Sequence, residues 1–313
     1  MEYGQQGQAQ LASTSLQAEM INQVKAAGIT DVYLYVDTGI FANATKTVSL
    51  QGFNTAIKSN GMNVWGLDGC RCYFSDVDGP TALYKDIDAL IAFNAKVPAA
   101  ARFIGFMADQ EPQDHAGYPR ATFHNELSDS QLSTTTVGAW KATPAADREA
   151  LMVDWVSFFE TAHYKLKAAG LRTGGTMVFW VDNYVGEPVR VTYPNNKGAP
   201  ERRPVSQHLM RFIDDYVIMT YNVNPANAAS RAASALAYAG SLSAPNNRPR
   251  ISASMETHTL GEPNTVSYAD VPAKNFKSVV LQDRTMIRTT LSSYSAFGGV
   301  SLHDYVGWKA MPN

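Results

Sequence analysis

Apolar positions along this chain alternate between two rhythms, one at helical spacing and one too dense and too rich in β-branched and aromatic residues for an amphipathic helix. The segment "SLQAEMINQVKAAG" (15–28) carries the helical spacing and closes on Gly28, a helix stop, before "ITDVYLYVD" (29–37), a β-rich run ending at Asp37. The plan repeats with helix "SLQGFNTAIKSNG" (49–61) and strand "MNVWGLD" (62–68), then helix "TALYKDIDALIAFNAKV" (81–97) and strand "ARFIGFMADQE" (101–111). A long polar stretch follows. Beyond it lie the acidic-started helix "PAADREALMVDWVSFFETAHYKLKAAG" (144–170) and the strand "RTGGTMVFWVD" (172–182). Three more pairs complete the series: "VSQHLMRFI" with "DDYVIMTYN" (214–222), "NAASRAASALAYAG" with "RPRISASMETH" (248–258), and "VVLQDRTMIRTTLSSYSA" with "FGGVSLHDY" (297–305).

Seven strands, each preceded by a helix, imply a parallel sheet. This many units favour closure into a (β/α)8 TIM barrel over an open doubly wound sheet, which would bring a Gly-rich phosphate turn early in the chain. No such turn is present. The eighth strand should stand first, yet "MEYGQQG" is short and polar, so the expectation is an abbreviated or missing first strand in a single domain spanning residues 1–313.

Composition narrows the function classes. With 313 residues, 45% of them hydrophobic, the chain can bury a large core without disulfides or metals. A formal net charge of −2 gives no basic excess, which excludes a general nucleic-acid binder. No run approaches the ~20 apolar residues of a membrane span, so no membrane partner is expected. The start of the chain has no signal-peptide pattern. Cys70 and Cys72, separated only by Arg71, read as packing thiols and not as a disulfide.

Barrel chemistry sits at the carboxyl ends of strands. Those positions are Asp37, Asp68, Asp109 with Glu111, Trp180 with Asp182, Tyr221 with Asn222, Glu256 with His258, and His303 with Asp304. An acid at a strand end also serves as a cap for the next turn, so any one alone is ambiguous. In "FIGFMADQEPQ" (103–113) two acids stand one residue apart, and strand alternation would point both the same way, with Cα atoms ~6–7 Å apart. Like-charge repulsion between close carboxyls raises one pKa and keeps a proton available, which suits protonation of a glycosidic oxygen.

The order of "FIGFMADQEP", "DDYVIMTYN" and "FGGVSLHDYVGW" resembles the fourth, sixth and eighth strands of the glycoside hydrolase family 18, chitinase-like TIM-barrel superfamily. The resemblance implies a polysaccharide hydrolase, with an amino-sugar-containing polymer favoured. Glu111 is then similar to the family's general acid, and Asp109 to the carboxylate that orients the substrate's acetamido group. Tyr221 would assist that group by hydrogen bonding, and Trp308 resembles the aromatic floor under the sugar. The family carries further aspartates where this chain has Gly105 and Met107, and an aspartate is usual where Asn222 stands.

Around these residues, Asp37, Asp68, Trp180, Asp182, Asn222, Glu256, His303 and Asp304 are the expected sugar contacts, and Tyr73, Trp180, Tyr184 and Tyr305 offer rings for stacking. The polar segment from Pro112 to about Val137 and a turn in "TYPNNKG" (192–198) are expected above the same end of the strands. No cofactor is implied. The competing readings are a carbohydrate-binding barrel without turnover and a metal-dependent hydrolase using Asp37, Asp109, Glu256 or His303, although no HxH or HExxH spacing occurs. A polysaccharide substrate would favour a secreted or wall-facing protein.

Overall fold

The computed structural model describes residues 11–69, 79–112, 144–242, 248–261 and 265–313. The segment expected to hold a first strand, together with Cys70, Cys72, Tyr73 and nearly all of the polar stretch after Pro112, lies outside them. The chain forms two compact units, one of residues 1–174 with 191–193 and the other of residues 175–190 with 194–313.

In the first unit the elements run α1 (Thr14–Ala26), β1 (Asp31–Tyr35), α2 (Thr38–Ala42), α3 (Ala44–Ser59), β2 (Asn63–Asp68), α4 (Gly79–Lys96), β3 (Gly105–Ala108), α5 (Ala145–Ala168) and the start of β4 (Arg172–Val178). Its strand order is β1-β2-β3-β4. The β1–β2 and β2–β3 pairs are parallel, with Val32 opposite Val64 and Gly66 opposite Phe106. Helices stop where the sequence places glycines, because Gly28 and Gly170 take φ values of +69° and +70°, a left-handed conformation that costs any residue with a Cβ. Ser13 and Asn43 cap α1 and α3 by accepting hydrogen bonds from backbone N–H groups of the first turn. Between helices and strands lie Phe53, Ile57, Trp65, Leu83, Ile87, Phe103, Trp155 and Phe159, all buried.

The second unit takes β4 onward through a 3-10 turn (Phe179–Asp182), the two end residues of β5 (Arg190–Pro194), whose residues 191–193 belong to the first unit, β6 (Pro200–Pro204), α6 (Val205–Leu209), β7 (Asp215–Met219), α7 (Pro225–Ser241), β8 (Arg250–Glu256), α8 (Lys277–Leu291), β9 (Phe297–His303) and α9 (Tyr305–Ala310). Its strand order is β4-β7-β8-β9, and the β7–β8 and β8–β9 pairs are parallel. Helix α7 begins with Asn224 as cap and Pro225 in its first turn, then buries Ala228, Ala229, Ala232, Ala235 and Ala239. Strand β7 is tied to β8 by side chains as well as backbone. Thr220 Oγ1 donates to Ser254 O at 2.7 Å and accepts from Ser254 N at 3.0 Å, and Arg250 meets Asp215 at 2.5 Å. The expected turn at 192–198 is present: Asn195 N donates to Ala199 O and Gly198 N to Asn195 O, joining β5 to β6.

Seven parallel strands in chain order, with helices between them, follow the (β/α)8 plan, the remaining strand not being among the described residues. Two strands are shorter than their sequence suggests. Strand β3 starts only at Gly105, after a 3-10 turn at Ala99–Ala101, and ends at Ala108. Asp109 N still donates to Asp68 O at 3.0 Å, but Pro112 has no N–H with which to extend pairing. Strand β4 ends at Val178, so Trp180 and Asp182 sit on the 3-10 turn and not on a strand. No helix among the described residues is long and apolar enough to cross a membrane.

The approach to β3 depends on a buried asparagine of α4. Asn94 accepts from Phe103 N and donates to Phe103 O, both at 2.9 Å. Asn94→Ala leaves a buried N–H and C=O unpaired and is expected to lower unfolding stability by about 2–4 kcal/mol, read as a reduced urea midpoint at unchanged m-value.

Candidate functional site

Carboxylates gather at the carboxyl ends of β1, β2 and β3 in the first unit, and each is held in a different way. Asp37 ends the β1 segment and caps α2, accepting from Ile40 N at 2.6 Å and from the Tyr35 hydroxyl at 3.0 Å. Asp68, buried at the end of β2, accepts from Gly69 N at 2.8 Å and forms a side-chain hydrogen bond with Asp86. Asp86 comes from α4, is also buried, and accepts from Thr38 N at 2.6 Å. Burial pushes the Asp86 carboxyl above the usual aspartate range, and the nearby Asp37 charge adds to this, while the bonds from Thr38 and Asp68 oppose it. The Tyr35 phenol is raised as well, first by burial and then by the charges of Asp68, Asp37 and Asp86.

Asp109 and Glu111 lie beside this cluster along the chain, both half-buried. Their placement does not follow from strand alternation, since β3 has ended before either is reached. Instead Asp109 is hung on Asp68 through its backbone N–H, and Gly69 lets the two segments close up. A Cβ at position 69 would fall 2.1 Å from Asp109 O.

The same strand explains why upstream acids are missing. A Cβ at Gly105 would stand 2.4 Å from the Trp65 ring and 2.5 Å from Arg172 O, so no side chain fits there. Met107 is buried and lies over Gly174, whose own Cβ would meet the Met107 Cε at 2.6 Å. Acidic neighbours reach the site from other elements, Asp68 from β2 and Asp86 from α4.

In the second unit a different constellation forms at the ends of β8 and β9. Glu256, 1% exposed, accepts from His258 N at 2.7 Å on one oxygen and pairs with His303 Nδ1 at 2.8 Å on the other. The Tyr221 ring stacks beside His303, with centroids 6.0 Å apart at 26°. Arg231 holds the Tyr221 carbonyl from α7 at 2.5 Å and lies over the Phe179 ring at 4.0 Å. Asp304 caps α9 by accepting from Gly307 N at 2.8 Å and stands 3.7 Å from His258 Nδ1.

The other expected sugar contacts in this unit have local duties. Asp182 is bonded by Ser206 and, at 3.3 Å, by Ser234, and burial raises its carboxyl against the effect of both hydroxyls. It lines a cleft of about 230 Å³ with Arg190, Gln207 and Tyr238. Trp180 packs against Tyr184 at 5.6 Å. Asn222, buried, turns the chain into α7 by accepting from Asn224 N at 2.9 Å. Trp308 is buried on α9 with Lys277 Nζ 6.0 Å from its ring centroid.

Two members of the first cluster, Asp86 and Tyr35, were not foreseen at strand ends. Asp86 had a sequence signal all the same: Leu83, Asp86, Ile87 and Leu90 share one face of α4, and an acid on that otherwise apolar stripe must find a buried partner.

No protein-family model matches this chain. No curated protein matches it either. Among solved structures it is similar to a chitinase from Chromobacterium violaceum ATCC 12472 (11% identity, 95% of each chain covered, TM-score 0.47). It is similar also to the PgaB (BpsB) glycoside hydrolase domain from Bordetella bronchiseptica (10% identity, 93% of this chain and 89% of that one, TM-score 0.49). A third is the Bacillus cereus spore cortex-lytic enzyme SleL (11% identity, 95% and 70% covered, TM-score 0.43). Similarity at this level assigns neither a family nor an activity.

The raised Asp86 carboxyl makes a signed prediction. Folded Asp86 keeps its proton above the ordinary aspartate value of 3.8, so above that pH the folded chain binds more protons than the unfolded one and this site loses stability as pH rises. Asp86→Asn mimics the protonated acid. The difference in Tm, variant minus wild type, is expected to grow from pH 4 to pH 7, and a constant difference would mean that Asp86 titrates ordinarily.

Proposed function

We propose that this protein is a glycoside hydrolase, a divergent relative of the family 18 chitinase-like barrels, that cleaves an amino-sugar-containing polysaccharide. The observation that carries the reading is the run of carboxyl groups at the ends of three consecutive strands, Asp37, Asp68 and Asp109, with Asp109 N bonded to the backbone carbonyl of Asp68. Glycosidic cleavage asks for a proton donor and a carboxylate that stabilises positive charge at the anomeric carbon. Glu111 and Asp109 are half-buried, so a substrate can reach them while their neighbours are shielded from water.

Glu111 is the general acid in this reading. Its carboxyl proton passes to the glycosidic oxygen, which leaves with the bonding electron pair, and the acetamido oxygen supplies the pair that satisfies the anomeric carbon. Asp109 orients the acetamido N–H and balances its developing charge. Water then attacks the anomeric carbon as its bond to the acetamido oxygen breaks and the electron pair returns to that oxygen, and the water gives its proton to the Glu111 carboxylate, restoring the acid. Support for this assignment comes from the Asp109-Gln110-Glu111 spacing and from the Met219-Thr220-Tyr221-Asn222 sequence. By the same motif Tyr221 is a hydrogen-bond donor to the substrate.

Reducing-end release from chitin, peptidoglycan and galactosamine-rich polymers tests the proposal. Glu111→Gln is expected to lower turnover by about 10²–10⁴-fold with glycan binding retained, and the active polymer identifies the substrate class. Undiminished release in this variant would remove Glu111 from the reaction. Binding without release by the wild type would make the protein a carbohydrate-binding barrel. Tyr221→Phe deletes one hydroxyl without changing the ring, and a turnover loss of roughly tenfold or more is expected, of the size of a lost hydrogen bond to a charged group.

A further inference from the structure

We propose that the cleft between α6, α7 and the 3-10 turn of the second unit is a further carbohydrate-binding site, taking one sugar ring whose hydroxyls meet Asp182, Arg190 and Gln207 while its apolar face lies on Tyr238 and Met210. The site uses none of the residues assigned to hydrolysis, and its lining, not that assignment, calls for a saccharide. The cleft is built locally. Ser234 and Tyr238 stand four residues apart on α7, and Ser206 and Met210 four apart on and just past α6, so each pair projects from one side of its helix. Asp182 comes from the last position of the 3-10 turn and Arg190 from the first of β5. The volume of about 230 Å³ falls short of the ~300 Å³ at which pockets for drug-sized ligands begin, so it admits one ring of a chain and not several.

Asp182 is where the protein leaves hydrogen-bonding capacity unused. Ser206 Oγ donates to one carboxyl oxygen and Ser234 Oγ to the other, the latter at 3.3 Å, and no cation pairs with the group among the described residues. With or without a proton, the carboxyl can make further hydrogen bonds beyond these two, and a hydroxyl, being both donor and acceptor, completes either form. Burial raises the carboxyl despite both serines, a sign that two neutral donors do not replace the water it has lost. Arg190 and Gln207 have no side-chain partner among the described residues. The guanidinium offers donors, the amide a donor and an acceptor, and Asp182 acceptor oxygens. This mixture selects a neutral ligand whose groups both donate and accept. A phosphate would suit Arg190 but set its own acceptor oxygens against those of Asp182. An ammonium would suit Asp182 but face a like charge on Arg190. A sugar hydroxyl satisfies both, and the C–H groups of its ring fit the apolar wall made by Tyr238, Met210 and Pro188.

The test is NMR of the full chain carrying 13C-labelled methionine methyl groups, the Met210 signal being identified by its loss in Met210→Leu. Glucose and N-acetylglucosamine are titrated, with inorganic phosphate and methylammonium as charged comparators. The Met210 methyl is expected to shift saturably with at least one sugar and with neither ion, and to do so equally in Glu111→Gln. Asp182→Ala should weaken that binding about tenfold, by loss of a hydrogen bond to a carboxyl. Arg190→Ala, at an exposed position, should weaken it by a similar factor and decides the matter if Asp182→Ala does not fold. A Met210 signal that no sugar moves overturns the proposal, whether or not polymer is hydrolysed. So does a shift that phosphate or methylammonium produces equally, or one that survives undiminished in both variants. A saturable sugar shift in a chain that releases no reducing ends leaves this site standing and removes only the hydrolase reading.

Discussion

A carboxylate taken out of water loses several kcal/mol of hydration unless it keeps its proton or is met by hydrogen-bond donors. This chain puts several acids in buried or half-buried places at or beside the ends of its strands and answers the demand in more than one way. Asp37 and Asp304 are satisfied by the first-turn N–H groups of the helices that follow them. Glu256 is met by a backbone N–H and an imidazole. Asp86, beside Asp68, accepts from Thr38 N and is held by burial above the usual aspartate range. Two of the groups left half-buried are bonded to sealed residues, Asp109 to the Asp68 carbonyl and His303 to the Glu256 carboxylate.

Satisfying buried acids also divides labour between chemistry and support. In the first unit the shielded pair, Asp68 with Asp86, lies behind Asp109, which it holds by a backbone hydrogen bond. In the second, Glu256 is sealed and the ring it pairs with is exposed. The same arrangement recurs with different partners: an inaccessible acid holds in place a group that a ligand can reach. Such support is what lets a site keep its geometry without reorganising when a substrate arrives.

Packing decides which side chains the third described strand can carry, because that strand runs hard against its neighbours. Gly105 has the Trp65 ring where a side chain would go, and Met107 covers Gly174. The acids near its end come from other elements, Asp68 from β2 and Asp86 from α4, a helix some twenty residues upstream of β3.

Periodicity was enough to read the seven strands, the intervening helices and their parallel order, because the burial of strands and helices is written locally in the spacing of apolar residues. Glycine stops at Gly28 and Gly170 were equally legible, a left-handed φ being a property of single residues. The acids at the strand ends could be named from sequence too. Their states could not. Whether Asp37 caps a helix or Glu256 pairs with a histidine depends on partners 3 and 47 residues away. Hydrogen bonding and desolvation act through space at about 3 Å, so only the tertiary structure decided which carboxyl is sealed, which keeps a proton, and which stands where a ligand can reach it.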